Sequence, residues 1–169
     1  LDRINRSMST YDSASELSRF NQQQSTEWTP VSTELFTVLE AALDIGRKSG
    51  GAFDITIGPL VNLWGFGPEF RSDQIPSDEK INRLRKQIGQ DKLRLDQVNR
   101  SIRKLHPDVH IDMSTIAKGY AVDQIAQLLI SNGIEHFMIE IGGEIRAQGH
   151  NAQGSAWRIG IEKPQPHTQ

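Results

Sequence analysis

Cysteine is absent from this 169-residue chain, and with it go a disulfide framework, zinc–thiolate and iron–sulfur sites and thiol catalysis. That absence leaves the compartment open, since a cysteine-free chain suits cytoplasm and periplasm alike. No apolar run approaches the roughly 18 residues that a bilayer crossing needs, because Gly, Asn or a charge interrupts each one. Neither sign of charge dominates: 19 Lys and Arg stand against 21 Asp and Glu, a formal net charge of −2. No basic block is long enough to follow a phosphate backbone, which argues against nucleic acid as a partner. Hydrophobic residues at 36% nevertheless place the chain with globular rather than disordered compositions. The chain does not open on Met; Leu1 stands inside a helical pattern, and the sequence stops abruptly at Pro164-Gln-Pro-His-Thr-Gln169. The expectation is a piece of a longer protein, with any targeting segment outside it.

What is present reads as helices mixed with hairpins. Leu1, Ile4 and Met8 share one helical stripe, which Ser9-Thr-Tyr-Asp-Ser13 breaks with hydroxyls and a turn former. A short second helix starts at Ser15 and carries Leu17 and Phe20. Pro30 and Ser32 introduce a long amphipathic helix with Leu35, Leu39, Ala42, Leu43 and Gly46 on its apolar face and Gly50-Gly51 as its stop. Phe53–Ile57 alternates and predicts a strand, followed by an aromatic-rich loop through Pro68 with one helical turn, in which Trp64 and Phe66 are read as core or loop anchors in preference to a stacking platform. Arg71–Ser77 reads as a polar, mobile link, after which Ser77 caps a helix with Ile81, Leu84 and Ile88, ended by Gly89. Leu93–Leu95, Ile102–Leu105 and Val109–Asp112 predict a β-meander with a turn at Asn99-Arg100. A helix over Ile116–Ser131 and strands at Phe137–Ile141, Glu144–Gln148 and Trp157–Ile161 complete the pattern. Without a regular βαβ repeat the class is α+β, with largely antiparallel sheets and packed helices in one domain over residues 1–169.

Three segments carry chemistry. Ile111-Asp-Met-Ser-Thr-Ile-Ala-Lys-Gly119 runs into the first turns of a helix, where N–H groups, the helix dipole and Lys118 favour an anion. The plainer reading is that Asp112 or Ser114 caps the helix and Lys118 is solvated. Gly50-Gly-Ala-Phe-Asp54 brings flexible backbone beside a carboxylate that can accept from ribose hydroxyls or a base amine, or is simply a helix stop before a strand. Met8-Ser-Thr-Tyr-Asp12 presents Tyr11, either as a face for a planar ligand or as a tyrosine with its hydroxyl in water. Gly65-Phe-Gly67 lacks a third Gly at Phe70, and Lys118-Gly119 reverses the P-loop order, so neither nucleotide fingerprint applies. His106, His110, His136, His150 and His167 have no metal-ligand spacing and read as surface residues.

Taken in order, Met8–Tyr11 with Ser15–Asn21, Gly51–Gly67, Ile111–Asp123 and Ile141–Glu144 resemble the ApbE family of FAD:protein FMN transferases. The resemblance covers nearly the whole chain and implies an ApbE-like, T-fold-like architecture. It implies transfer of FMN from FAD to a Thr or Ser hydroxyl of an acceptor protein with Mg²⁺ and loss of AMP. Some relatives mainly hydrolyse FAD to FMN and AMP, and a flavin-binding module without turnover is a third reading. FAD contacts are implied at Tyr11, Ala52, Phe53, Asp54, Asp112 and Lys118, and a metal contact at Thr115; no general base is assigned. The expected setting is the bacterial periplasm, as an inner-membrane lipoprotein anchored outside this chain. The acceptor is expected to be a flavoprotein subunit of a membrane redox complex. The family pattern also extends before Leu1, into a strand touching the flavin, and beyond Gln169, into a metal loop. Part of the expected site therefore lies outside these residues.

Overall fold

The computed structural model describes residues 1–67 and 75–161, and within them the chain is α+β. It divides into two compact units, Leu1–Tyr120 and Ala121–Gln169. The predicted link at Arg71–Ser77 falls in part, and His167 entirely, outside the described residues.

In the first unit α1 (Asp2–Met8), α2 (Glu16–Gln22) and α3 (Thr33–Lys48) enclose the core. Ser15 caps α2 by accepting from the Ser18 amide, and Ser32 does the same for α3 with the Leu35 amide. The Glu16 carboxylate accepts from Ser7 Oγ at 3.2 Å and from the Ser32 amide at 2.6 Å, so one acid joins all three helices. Leu35, Val38, Leu39 and Ala42 of α3 are fully buried, with Met8, Leu17 and Phe20 from the other two helices. Gly50 and Gly51 end α3 at φ 63° and 86°, with the Gly51 amide donating to the Gly46 carbonyl. Short helices α4 (Gly58–Leu63) and α5 (Asp78–Arg85) follow, Ser77 capping the latter as expected. α5 stops at Arg85, so Ile88 lies beyond it.

A three-stranded antiparallel sheet in the order β1-β3-β2 packs under this layer: β1 (Thr29–Pro30), β2 (Leu93–Asp96) and β3 (Ser101–Lys104). Leu93 pairs with Lys104 and Thr29 with Ile102. The β2–β3 turn holds Arg100 at φ 47°, stabilised by Asp96 Oδ1, which accepts from the Val98 and Asn99 amides.

Two predicted strands of this unit are not strands. Phe53–Ile57 is a turn, because Asp54 Oδ1 accepts from the Thr56 amide at 2.8 Å and from its hydroxyl at 2.7 Å. Ile55 and Thr56 are consequently both buried, which alternation forbids. Val109–Asp112 does bury every second residue, Val109, Ile111 and then Met113, but has no ladder. Its backbone is satisfied by the Asn21 side chain and by the Ile55 carbonyl instead. The third strand of the expected meander is therefore replaced in the sheet by β1.

Helix α6 (Ser114–Ser131) reaches from the first unit into the second. In the second unit its residues Val122 and Ala126 pack on Phe137 and Ile139 of β4 (Phe137–Ile141), which pairs with β5 (Glu144–Gln148). Gly142 and Gly143, at φ 55° and 93°, make the two-residue turn that suits this hairpin. Trp157–Ile161 is not a strand: Trp157 Nε1 donates to the Gln148 carbonyl, and only the isolated bridge between His150 and Ala156 precedes it. Among the described residues no helix is long and apolar enough to cross a membrane.

Candidate functional site

A cleft of about 420 Å³ opens in the first unit between the end of α1, the turn carrying Asp54, the loop after α4 and the start of α6. Ser9 shapes its first wall. Its hydroxyl accepts from the Tyr11 and Asp12 amides at 3.2 and 3.1 Å, and its carbonyl takes the hydroxyls of Ser15 and Ser18. The turn so fixed leaves the Tyr11 side chain 72% exposed at the cleft.

The second wall is the turn at Asp54, whose bonds to Thr56 hold the carboxylate at the lining. Thr56 is fully buried and its hydroxyl also accepts from the Gly89 amide at 2.7 Å. The third wall is the entrance to α6. Asp112 Oδ1 accepts from the Ser114 amide at 2.7 Å, closing a turn that starts the helix, and the Ala117 amide makes a helical bond to the Met113 carbonyl. Thr115 and Lys118, both exposed, then line the cleft from the first turns of α6. The Asp112 amide donates to the Ile55 carbonyl at 2.7 Å, so the two acid-bearing walls are bonded to each other.

Five of the seven residues singled out from sequence, Tyr11, Asp54, Asp112, Thr115 and Lys118, thus line one cleft. Ala52 and Phe53 do not. Ala52 is exposed, whereas Phe53 is half-buried against the core, its amide donating to Ser49 Oγ and its carbonyl accepting from Gln90 Nε2. The Asp112 carboxylate takes the first amide of α6 from the residue before Met113, whose carbonyl accepts the first helical bond, and it does so while lining the cleft. Sequence reasoning preferred an anchor to a stacking platform for Phe66, whereas the ring is 79% exposed on the cleft. Its signal was an aromatic between two glycines, which mark a turn, with Gly65 at φ 80°. A larger hollow of about 760 Å³ lies between α3 and β2, but Glu40, Asp44 and Asp91 face Arg47 and Arg94 there and none of the singled-out residues reaches it.

The order of these walls along the chain matches a known pattern from end to end: the model of the family described as ApbE matches residues 1–169. The chain belongs to the ApbE family. This ApbE-family chain is 50% identical over 164 residues to an FAD:protein FMN transferase of Vibrio cholerae serotype O1, covering 97% of the chain and 48% of that relative. It is 42% identical over 168 residues to the protein of the same name in Escherichia coli (strain K12), covering 97% of the chain and 47% of that relative. Among solved structures, the flavin transferase ApbE from Vibrio cholerae superposes with a TM-score of 0.92 at 51% identity, over 97% of this chain and 52% of that one. The apo form of the Pseudomonas stutzeri flavinyl transferase ApbE gives 0.87 at 36% identity, over 95% and 52%. The chain spans about half the length of the curated relatives it matches.

Proposed function

We propose that this chain is the nucleotide-binding part of a Mg²⁺-dependent transferase that moves FMN from FAD to a Thr or Ser hydroxyl of an acceptor protein. In that reaction the acceptor oxygen bonds to the FMN phosphorus, the pyrophosphate bond breaks, AMP leaves and the hydroxyl proton is released. The observation that carries the reading is the convergence of Tyr11, Asp54, Asp112, Thr115 and Lys118 on one cleft. Tyr11 and Phe66 offer ring faces to a planar group. Asp54 and Asp112 accept from hydroxyls or an exocyclic amine, and Lys118 with the start of α6 attracts phosphate.

The metal donors available here are the carboxylates of Asp54 and Asp112 and the oxygens of Thr115, the hard ligands that Mg²⁺ takes. Among the described residues no three acidic or histidine side chains cluster as a cage. That donor set suits an ion held by one or two protein oxygens together with substrate phosphates. Thr115 would hold it, with Asp112 beside it, and the bound ion would neutralise the pyrophosphate charge. The same reading places the protein in the bacterial periplasm as an inner-membrane lipoprotein, with a flavoprotein subunit of a membrane redox complex as acceptor; this part rests on the family resemblance.

The test is incubation with FAD and Mg²⁺, with EDTA as control, followed by chromatography of AMP and FMN and mass analysis of an added acceptor. Metal-dependent AMP with flavinylated acceptor supports transfer. AMP with free FMN assigns hydrolysis instead, and intact bound FAD assigns a binding module.

A further inference from the structure

The structure assigns to Asn21 the role of a positioning residue: its side-chain amide stands in for a missing strand and sets the Asp112 wall of the cleft. Asn21 Nδ2 donates to the Ile111 carbonyl at 2.8 Å, and Asn21 Oδ1 accepts from the Ile111 amide at 2.8 Å. A neighbouring strand would offer the same donor and acceptor, so this one side chain closes the ladder gap left by Val109–Asp112. On the next residue the Asp112 amide is bonded to the Ile55 carbonyl. The chain entering α6 is thereby gripped at two successive residues, and the Asp112 carboxylate, tied to the Ser114 amide, is carried on a fixed backbone.

Asn21 is itself held from behind. Its carbonyl accepts from Lys104 Nζ at 3.2 Å, and the same ammonium donates to the carbonyls of Gln23 at 2.7 Å and Pro107 at 2.9 Å. Lys104 is fully buried, 5.4 Å over the Phe20 ring. Asn21 does not line the cleft. It lines a polar niche of about 160 Å³ that shares Thr10 and Asp112 with it, so its effect on a ligand passes through Asp112. Only a residue with a donor and an acceptor side by side can do this, which Asp, Ala and Leu cannot at neutral pH.

The functional step of this inference rests on the proposed flavin-nucleotide site; the structural step does not. The experiment compares the chain with Asn21→Ala and Asn21→Asp, measuring FAD affinity by fluorescence titration and exchange of the Ile111 amide by NMR. Asn21→Ala is expected to weaken FAD about tenfold, as loss of a paired donor and acceptor implies, and to speed Ile111 exchange while α3 amides stay protected. Asn21→Asp is expected to match Asn21→Ala at about pH 8, because a carboxylate accepts from the Ile111 amide but cannot donate to the Ile111 carbonyl. The charged and titratable groups around this pairing are Lys104, behind Asn21, and His110 and Asp112 flanking Ile111. All are shared with the parent, so the ratio of affinities isolates position 21. FAD affinity within about twofold of the parent in Asn21→Ala, or in Asn21→Asp at about pH 8, overturns the assignment. If the parent itself fails to bind FAD, the functional reading falls, and unchanged Ile111 exchange in the variants overturns the positioning role separately.

Discussion

Thr56 is fastened to Asp54 twice, by its amide and by its hydroxyl, and the same hydroxyl receives the Gly89 amide. Thr56→Val keeps the shape and removes the hydroxyl, leaving the half-buried Gly89 amide and one Asp54 bond without a partner beside a fully buried side chain. The expected loss is about 2 kcal/mol of stability by urea unfolding, with FAD affinity also reduced because Asp54 is then held at the lining by the Thr56 amide alone. An unchanged urea midpoint would count against this account of the turn.

Gly46 is needed for a neighbour. A Cβ there would fall on the Gln90 side-chain amide, which donates to the Phe53 carbonyl at 2.5 Å. Gly46→Ala should improve helix propensity by about 1 kcal/mol but displace the flexible Gln90 side chain and its bond to Phe53 at a cost of about 1 kcal/mol, leaving stability nearly unchanged. In a Gln90→Ala background the same substitution should stabilise the protein by about 1 kcal/mol. A double-mutant cycle with no coupling between the positions would refute this.

Phe66 buries little of itself, so its removal tests the cleft without testing the fold. Phe66→Ala is expected to leave thermal stability unchanged and to weaken FAD at least about fivefold, within the range for loss of one stacking face. Equal affinity would remove Phe66 from the site.

Tyr120 has its phenol pushed above the ordinary value by burial first and by the Glu34 carboxylate second. The folded chain therefore holds this proton more tightly than the unfolded chain. Its contribution is complete below the ordinary tyrosine value near 10.0 and is lost as pH rises through the raised one. Urea midpoints of the parent should accordingly fall relative to Tyr120→Phe as pH climbs past about 10, while the two run parallel at lower pH.

The legible parts of the fold were those with long-period patterning and end signals of their own. α3 has seven buried positions between Ser32 and Gly50-Gly51, and β4–β5 has a glycine pair at its turn. What stayed hidden was backbone whose partner is a side chain. Val109–Asp112 shows true strand alternation, but Asn21 lies far away in sequence, and no periodicity announces that an amide will replace a strand. Phe53–Ile57 likewise alternates on paper, yet Asp54 competes for its own backbone and turns it. At the site, Tyr11, Asp54, Asp112 and Lys118 stood out in three separate segments and Thr115 came from the family resemblance, but only folding joined the five at one cleft. Phe53 was drawn into the core by its own apolar ring.

β1 consists of Thr29 and Pro30 and forms one margin of its sheet. Pro30 has no N–H to offer a newcomer, and two residues present almost no template. The opposite margin, β2, places Arg94 and Asp96 among its four residues. This sheet is therefore poorly suited to recruiting strands from other molecules, which guards crowded solutions of the protein against aggregation through either of its rims.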